Sequence, residues 1–346
     1  MVPVELEPAR EPLEFGFQWH LTDRCNLRCV HCYQDDFSPA GERPLDVLKR
    51  MADAVLGSLP NREVSVNITG GEPLLVPHLA PFLRHLEGYP NLLEINLITN
   101  GTIAGEDLLA ELASLGKLRY LKVSVEASVN AVNDAIRGRG NLERVRAGIS
   151  AYRRMLPHVG VVLMATLGRH NRDAVDGLLG FARSTGAAGV IFERFVPLGA
   201  GRAMADQVLS AADWRRVTAT LADRAGVDAD VEELLPYRAW WFRLDDPEEP
   251  LVGALCNLGE TSMGLMPDGT VYPCRRLPVP LGNVLADAFP VILERLKPYA
   301  ADRVKPRLDG PRCGGCTVTG CAGCRALAAA LTGDLLADDP QCFGLR

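Results

Sequence analysis

Three cysteines near the beginning of the chain, Cys25, Cys29 and Cys32, follow the spacing C-x3-C-x2-C. Thiolates on one short loop can hold three irons of a four-iron cubane cluster, and the fourth iron is then left without a protein ligand. Such an open iron can bind and reduce a small molecule. A zinc site and scattered buried cysteines are the competing interpretations, although zinc usually takes two spaced pairs of ligands. The trio therefore predicts a four-iron cluster in which one iron has no protein ligand.

Apolar, strand-like runs alternate with amphipathic, helix-like runs over the first two thirds of the sequence. Six strands are predicted, at residues 15–21, 63–68, 93–99, 120–125, 160–165 and 189–195. The helices predicted between them span residues 45–56, 79–86, 106–115, 142–154 and 173–184. This order predicts a parallel sheet with helical crossovers. Because such sheets place their chemistry at the carboxyl ends of the strands, the cysteine trio is expected on the loop after the first strand.

After the sixth unit the pattern changes. Residues 203–250 are predicted to be helical, most clearly at 210–224, and the acidic stretch 245–250 is predicted to be a solvated linker. Farther on, seven of the ten cysteines lie between Cys256 and Cys342, among glycines and prolines. This segment has little apolar material for a core, so metal ligation is expected to replace one. We therefore expect three parts, at residues 1–202, 203–250 and 251–346.

Composition excludes several classes of protein. The net charge is −6 and no block of lysines or arginines stands out, so no nucleic-acid partner is expected. No apolar run is long enough to span a bilayer, so no membrane partner is expected either. The first seven residues lack the regions of a signal peptide, which predicts a cytoplasmic protein. Thiols stay reduced there, so the ten cysteines are expected to bind metal rather than to form disulfides.

The trio and four later segments together resemble the radical S-adenosylmethionine (SAM) family. These segments are Gly70-Gly71-Glu72-Pro73, Ser124-Val125-Glu126, Arg137-Gly138-Arg139-Gly140 and Phe195-Val196-Pro197-Leu198-Gly199. The resemblance implies an α/β fold, a partial (β/α)6 TIM-like barrel, in which the open iron chelates the amino and carboxylate groups of SAM. It also implies reductive cleavage of SAM to a 5′-deoxyadenosyl radical that abstracts hydrogen from a substrate. An external one-electron donor, a flavodoxin or a ferredoxin, is implied as a partner.

Eight residues would contact SAM by this resemblance: His31, Gly70, Gly71, Glu72, Ser124, Glu126, Arg137 and Leu198. The two glycines and Glu72 would hold the methionyl ammonium, and Arg137 would neutralise the carboxylate. Ser124 and Glu126 would bind the ribose and the head group, whereas His31 and Leu198 would lie near adenine. A bare glycine turn, a surface turn at Arg137 and a merely packed His31 are the alternatives. No acid–base residue is identified, and the other five histidines are expected to be structural or exposed.

The seven cysteines of the tail resemble the framework of the SPASM domain, which adds two auxiliary four-iron clusters to radical SAM enzymes that modify peptides and proteins. Their order is Cys256-x17-Cys274, Cys313-x2-Cys316-x4-Cys321-x2-Cys324 and x17 to Cys342, with two spacings one residue shorter than usual. The resemblance implies one cluster on Cys256, Cys274 and Cys324, and a second on Cys313, Cys316, Cys321 and Cys342. With the trio, this makes three 4Fe–4S clusters. Zinc bound by the C-x2-C-x4-C-x2-C run is the alternative.

The first auxiliary site is one ligand short, because residues 257–273 contain no cysteine. Its fourth iron is expected to be open or to be filled by the substrate. If a protein carboxylate fills it instead, Asp268 and Glu260 are the nearest candidates in the sequence.

The SPASM resemblance favours a maturase that abstracts hydrogen from a ribosomally made peptide, followed by crosslinking, thioether formation or another oxidation. About 15 residues precede the first strand, so a leader peptide would be recognised by a separate leader-binding protein or by residues 203–250. Modification of a small molecule, such as a tetrapyrrole side chain, is the alternative.

Two further alternatives are less favoured. Anaerobic sulfatase maturases place a carboxylate base directly after the cysteine that aligns with Cys274, whereas Arg275 and Arg276 stand here. Arginine stays protonated at neutral pH and does not act as that base. A non-catalytic scaffold that only carries clusters would leave the SAM motifs unexplained.

Overall fold

A parallel sheet forms the centre of the computed structural model, which describes residues 14–344. Its six parallel strands are β1 (Phe15–His20), β2 (Val64–Thr69), β3 (Leu92–Thr99), β4 (Leu118–Ser124), β5 (Gly160–Leu167) and β6 (Gly189–Arg194). They lie side by side in chain order, and their apolar residues are buried by helices, as is usual for parallel sheets. All six predicted strands are confirmed, with ends within two residues of the prediction.

Six helices make the connections that cover the sheet. They are α1 (Leu45–Leu56), α2 (Leu79–Leu86), α3 (Glu106–Leu112), α4 (Asn130–Arg137), α5 (Asn141–Met155) and α6 (Val175–Thr185). Five of them occupy the predicted positions, and α4 was not predicted. Only one apolar residue of α4, Ile136, is buried, together with Asn133 and Arg137. A helix this polar has no apolar stripe that would reveal it in the sequence.

The segment after β6 is only partly helical. Helix α7 (Ala211–Ala225) begins at a capping box in which Ser210 and Asp213 bond each other's backbone N–H groups. Strand β7 (Ala239–Arg243) then pairs antiparallel with β6, and β8 (Leu251–Ala254) pairs antiparallel with β7. The prediction of helix throughout residues 203–250 is therefore wrong at β7. Trp240 and Phe242, two residues apart, are 2% and 3% exposed, which is the period-two pattern of a strand.

The acidic stretch 245–250 is the turn of the β7–β8 hairpin rather than a linker. Asp246 accepts hydrogen bonds from the backbone N–H groups of Glu248 and Glu249 within this turn. The hairpin crosses the boundary expected at residue 250, so the two neighbouring parts share one sheet. The division of the chain into three domains otherwise stays a prediction.

The cysteine-rich segment adds to the opposite edge of the same sheet. Strand β9 (Gly264–Leu265) pairs in parallel with β1, and β10 (Thr270–Tyr272) and β11 (Gly282–Asn283) continue antiparallel. Helices α8 (Phe289–Leu296), α9 (Ala301–Val304) and α10 (Arg325–Thr332) complete this part. The predicted six-stranded partial barrel is thus confirmed, and short strands extend it at both edges.

A large apolar core lies between the sheet and its covering helices, with Trp19, Phe82 and Trp214 among its fully buried members. No helix within residues 14–344 is long and apolar enough to cross a membrane. The prediction that the chain begins without a signal peptide concerns residues 1–7, which lie outside the described residues.

Candidate active site

The loop that follows β1 carries the cysteine trio to the carboxyl edge of the sheet, as predicted. There Cys25, Cys29 and Cys32 line a cavity of about 890 Å³ that opens to solvent. Five residues predicted to contact SAM also line it: His31, Gly70, Gly71, Ser124 and Arg137. The other three, Glu72, Glu126 and Leu198, do not line it. The structure therefore brings the trio and most of the predicted SAM contacts together in one place.

Gly70 and Gly71 dock the loop after β2 directly against the cysteine loop. Gly71 donates its N–H to the Thr22 carbonyl at 2.7 Å, and Glu72 donates its N–H to the Arg24 carbonyl at 2.9 Å. A Cβ on Gly71 would lie 2.3 Å from the Arg24 carbonyl oxygen, and Gly70 has a φ of +142°. Only glycine allows so close an approach of two backbones. These residues therefore shape the cysteine loop in addition to lining the cavity.

Glu72 is buried beneath the glycine loop. Its carboxylate accepts hydrogen bonds from the Thr99 hydroxyl at 2.9 Å and from the backbone N–H of Asn100 at 2.7 Å. It also accepts one from the Leu74 N–H at 3.1 Å. Burial raises the pKa of Glu72 to about 7, because these hydrogen bonds offset only part of the lost solvation. The carboxylate braces the loop, and the cavity wall beside it is formed by the two glycines.

Glu126 and Arg137 form a buried ion pair next to the trio. Arg137 donates from Nε and Nη2 to one Glu126 oxygen, with 2.9 Å from Nε, and its Nη1 lies 3.8 Å from Cys29 Sγ. His31 Nε2 lies 3.0 Å from the same Glu126 oxygen. Burial acts to raise the pKa of Glu126, but the charges of Arg137 and His31 lower it to about 2. Glu126 thus positions Arg137 and His31. These two side chains line the cavity, whereas Glu126 does not.

The turn after β6 presents different side chains from the one predicted. Phe195 and Val196 line the cavity, whereas Leu198 packs into an apolar cluster beside it. The Phe195 ring lies 6.5 Å from the His31 ring, centre to centre. The turn also supports the trio, because Gly201 donates its N–H to the Cys32 carbonyl at 2.8 Å.

The first auxiliary set, Cys256, Cys274 and Cys324, packs into the same apolar cluster as Leu198. Burial, and then the neighbouring Cys324, raise the pKa of the Cys256 thiol to about 12. Neither predicted carboxylate hydrogen-bonds to these cysteines in the described structure. Asp268 caps the turn before β10 through Thr270, and Glu260 is exposed.

The second auxiliary set lines one small cavity of about 300 Å³ together with Arg238 and Asp339. Its members are Cys313, Cys316, Cys321 and Cys342. The structure therefore groups the seven tail cysteines in the two sets that the sequence predicted. Arg238 lies in neither the trio nor the tail, and sequence reasoning missed it.

The three sets of cysteines fit clusters better than single ions. All ten cysteines are free thiols. Within residues 14–344, no three Cys, His, Asp or Glu side chains converge closely enough to hold one metal ion. Zinc needs four ligands at about 2.0–2.3 Å, whereas a four-iron cubane is wider and takes thiolates spread around it. Sets made of thiolates alone suit iron–sulfur clusters, and the number of clusters stays a prediction.

Arg275 and Arg276 lie in the wall of the cavity that the cysteine trio lines. In the sequence, these two residues served only as an argument against sulfatase maturation. Both guanidinium groups pair with Glu193 of β6, and the Arg275 Nη2–Glu193 Oε2 distance is 3.2 Å. Burial acts to raise the pKa of Glu193, but Arg276 and Arg275 hold it below its usual value. Their position directly after Cys274 was the only sequence signal for this group.

Two family models match the chain. The radical SAM superfamily matches residues 19–182, and an iron–sulfur cluster-binding domain, the SPASM domain, matches residues 256–317. These matches confirm the two predicted resemblances. The second match ends before Cys321, so the last three cysteines of the tail are placed by the geometry described above.

Relatives and solved structures agree with this assignment. The chain is 29% identical to the AdoMet-dependent heme synthase of Methanosarcina barkeri, covering 94% of this chain and 95% of that protein. It is 26% identical to the mycofactocin maturase MftC of Mycobacterium ulcerans, covering 94% and 86%. The crystal structure of Streptococcus suis SuiB bound to S-adenosylmethionine has a TM-score of 0.69 at 15% identity, covering 96% of this chain and 77% of that one. The likeness to SuiB shows a shared fold.

Proposed function

Because this chain is a radical SAM enzyme with a C-terminal SPASM domain, we propose that it abstracts hydrogen from a side chain of a carboxylate-bearing tetrapyrrole. The observation that carries the substrate class is the pair Arg275 and Arg276 in the cavity that also holds the cysteine trio. This proposal ranks the tetrapyrrole, the alternative from the sequence, above the peptide substrate that the SPASM resemblance favoured.

The chain's own residues would bind and orient SAM at this cavity. A four-iron cluster on the trio supplies, with SAM, a 5′-deoxyadenosyl radical. Arg137 offers Nη1–H toward the trio, where a charge-assisted hydrogen bond to the SAM carboxylate is favourable. Gly70 and Gly71 would present backbone groups to the ammonium, and Ser124 would present its hydroxyl to the ribose. Phe195 would give adenine an apolar surface beside His31.

Part of the cavity wall carries an excess of positive charge. Arg275 and Arg276 contribute two cations and Glu193 contributes one anion. The neighbouring His20 adds no charge at pH 7, because burial, and then Arg275, lower its pKa to about 3. A guanidinium matches the two oxygens of a carboxylate in geometry and charge. This wall is therefore suited to a substrate that carries carboxylates.

The same cavity offers apolar surface for a flat ring. Phe37, Met164 and Val196 line it together with the trio and the arginines. An apolar ring bounded by carboxylates is the chemistry of a tetrapyrrole with acidic side chains.

The arginine pair also connects the two kinds of cysteine site. Arg276 donates its backbone N–H to Cys274 Sγ at 3.4 Å. A substrate held there would lie between the trio and the first auxiliary set. It would lose a hydrogen atom to the radical, giving 5′-deoxyadenosine. The remaining substrate radical would then give up one electron together with a proton or, from a carboxylate side chain, carbon dioxide, so that a carbon–carbon double bond forms. Cys274 would help to hold an auxiliary cluster, which would supply an acceptor for that electron.

The relatives support both this proposal and a second candidate. The heme synthase of M. barkeri matches over nearly its whole length, which favours the tetrapyrrole. The mycofactocin maturase also matches over most of its length, and it favours a maturase, the second candidate. The two candidates require different substrates in an otherwise identical assay.

The test is an anaerobic incubation of the cluster-loaded protein with SAM and a chemical reductant. One arm receives a porphyrin with four propionate side chains, and a second arm receives its tetramethyl ester. A third arm receives each short peptide encoded beside the gene. Intact mass of the porphyrin or peptide and the yield of 5′-deoxyadenosine are measured.

We expect a mass change of the free-acid porphyrin, with 5′-deoxyadenosine formed in step, and no change of the ester. A peptide that changes mass while the porphyrin does not would overturn the proposal in favour of a peptide maturase.

A further inference from the structure

We propose that Arg238 is a positioning residue for the second auxiliary site. It would place one positive charge and a hydrogen bond against the cluster held by Cys313, Cys316, Cys321 and Cys342, and so raise its reduction potential. The inference holds for any substrate and requires only that these four cysteines carry a cluster. It concerns a residue outside both matched domain ranges, since these span residues 19–182 and 256–317.

The guanidinium of Arg238 points into the cysteine cavity. Arg238 lies one residue before β7, and only 11% of its side chain is exposed. Its Nη2 donates to Cys321 Sγ at 2.7 Å, and it lines the cavity with all four cysteines of the set. Its Nε has no hydrogen-bond partner in the described structure. A buried cation with a free donor is costly unless an anion lies beside it.

Asp339 holds this guanidinium in place. Its Oδ2 lies 3.4 Å from Arg238 Nη1 and 2.9 Å from Arg194 Nη1. The same oxygen accepts the backbone N–H of Cys324 at 2.8 Å. Asp339 also donates its own N–H to Cys313 Sγ at 3.4 Å. Asp339, through its carboxylate and its backbone N–H, therefore ties Arg238 to members of both auxiliary sets.

The charges of this group do not cancel. Arg194 and Arg238 bring two positive charges and Asp339 one negative. The nearby Arg325 and Asp338 bring one charge of each sign, so a net positive charge remains beside the second set. A cluster on four thiolates is anionic, and reduction makes it more negative. Positive charge and hydrogen bonds to its sulfurs stabilise the reduced form. The expected consequence is a second auxiliary site that accepts an electron more readily than it would without Arg238.

The experiment measures midpoint potentials by electron paramagnetic resonance during a redox titration of the full chain. The trio is first replaced (Cys25→Ala, Cys29→Ala, Cys32→Ala), so that only auxiliary signals remain. Into this background we introduce Arg238→Gln, which removes the charge at similar size. Arg243→Gln is the matched control, because Arg243 lies on the adjacent strand β7 and pairs with Asp246 in the hairpin turn.

Arg238→Gln is expected to lower the midpoint potential of the cluster that gives one of the auxiliary signals. At a fixed applied potential, the ratio of reduced to oxidised cluster should then fall at least tenfold. This is about 59 mV for a one-electron couple. Arg243→Gln is expected to leave both signals unchanged. An Arg238→Gln protein with full auxiliary iron and unchanged potentials would overturn the proposal.

A change of opposite sign keeps the proposal testable if Arg238→Gln loses iron. Asp339→Asn removes the negative charge, so it is expected to raise the potential of the same signal. Arg238→Lys keeps the charge without the planar fork and is expected to lower it less than Arg238→Gln. A lowered or unchanged potential in Asp339→Asn, or a drop of about 59 mV or more in Arg238→Lys, would overturn the assignment.

Discussion

Arg137 of α4 and Glu126, which follows β4, are paired so that a single guanidinium contacts both a buried carboxylate and Cys29 of the trio. Two of its nitrogens bond to Glu126, and the third faces the cysteine thiol and the cavity. Glu126 therefore fixes the direction in which Arg137 can act on a ligand.

Replacing Arg137 tests its proposed contact with the SAM carboxylate. Arg137→Gln is expected to weaken SAM binding about 10- to 100-fold, because a hydrogen bond to a charged group contributes about 1.5–3 kcal/mol. The measurement is equilibrium dialysis of SAM against the cluster-loaded protein, with Arg139→Gln, an exposed neighbour, as the control. Arg137→Gln protein with full iron and unchanged SAM affinity would refute this contact.

The glycine loop offers a test of how the trio is shaped. Gly71→Ala is expected to displace the cysteine loop, because its Cβ would lie 2.3 Å from the Arg24 carbonyl oxygen. The protein should then lose the iron of one cluster, about 4 per chain, while the auxiliary iron remains. Gly105→Ala is the control, since a Cβ there meets no atom within 4 Å. Retention of all iron and of SAM cleavage by Gly71→Ala would argue against this role.

Arg275 is expected to govern substrate binding rather than SAM cleavage. Its side chain is 8% exposed and pairs with Glu193. A charge-assisted hydrogen bond contributes about 1.5–3 kcal/mol. Arg275→Gln is therefore expected to bind the four-propionate porphyrin about 10- to 100-fold more weakly. Absorbance titration measures the affinity, and Arg307→Gln, at an exposed site, serves as the control. If Arg275→Gln and wild type bind the porphyrin equally, the arginine pair does not recognise its carboxylates.

Iron content tests the number of clusters. Three cubanes require about 12 iron and about 12 sulfide per chain after anaerobic reconstitution. Replacing the trio with alanine should leave about 8 iron, because the auxiliary ligands lie elsewhere in the chain. Saturation near 4 iron together with stoichiometric zinc would show that the tail binds zinc.

Local sequence patterns predicted the barrel well, whereas the assignment of the tail cysteines to two clusters came from the SPASM resemblance and stays a prediction. The strands could be read from apolar runs, and the trio and the C-x2-C-x4-C-x2-C run are close in sequence. Helix α4 and strand β7 were missed for different reasons. Helix α4 buries Asn133 and Arg137 rather than an apolar stripe, whereas the alternating aromatic pattern of β7 was present in a segment that was predicted to be helical.

Residues that act across long sequence distances could not be identified from the sequence. Glu193 meets Arg275 82 residues later in the chain, and Arg238 meets Cys321 83 residues later. These contacts depend on how the sheet is extended at both edges by β7–β8 and β9–β11. Periodicity and motif spacing carry no information about such pairings, so the contact of Arg275 with Glu193 and that of Arg238 with Cys321 emerged only from the structure.

The most direct test of radical SAM chemistry at the cysteine trio is reductive cleavage of SAM by the purified, reconstituted protein under anaerobic conditions. Production of 5′-deoxyadenosine is measured for the wild type, for the protein with Cys25, Cys29 and Cys32 replaced by alanine, and for a sample without protein. We expect the wild type to form 5′-deoxyadenosine and the trio variant to form no more than the sample without protein. Equal formation by the variant and the wild type, or none by an iron-loaded wild type, would contradict this expectation.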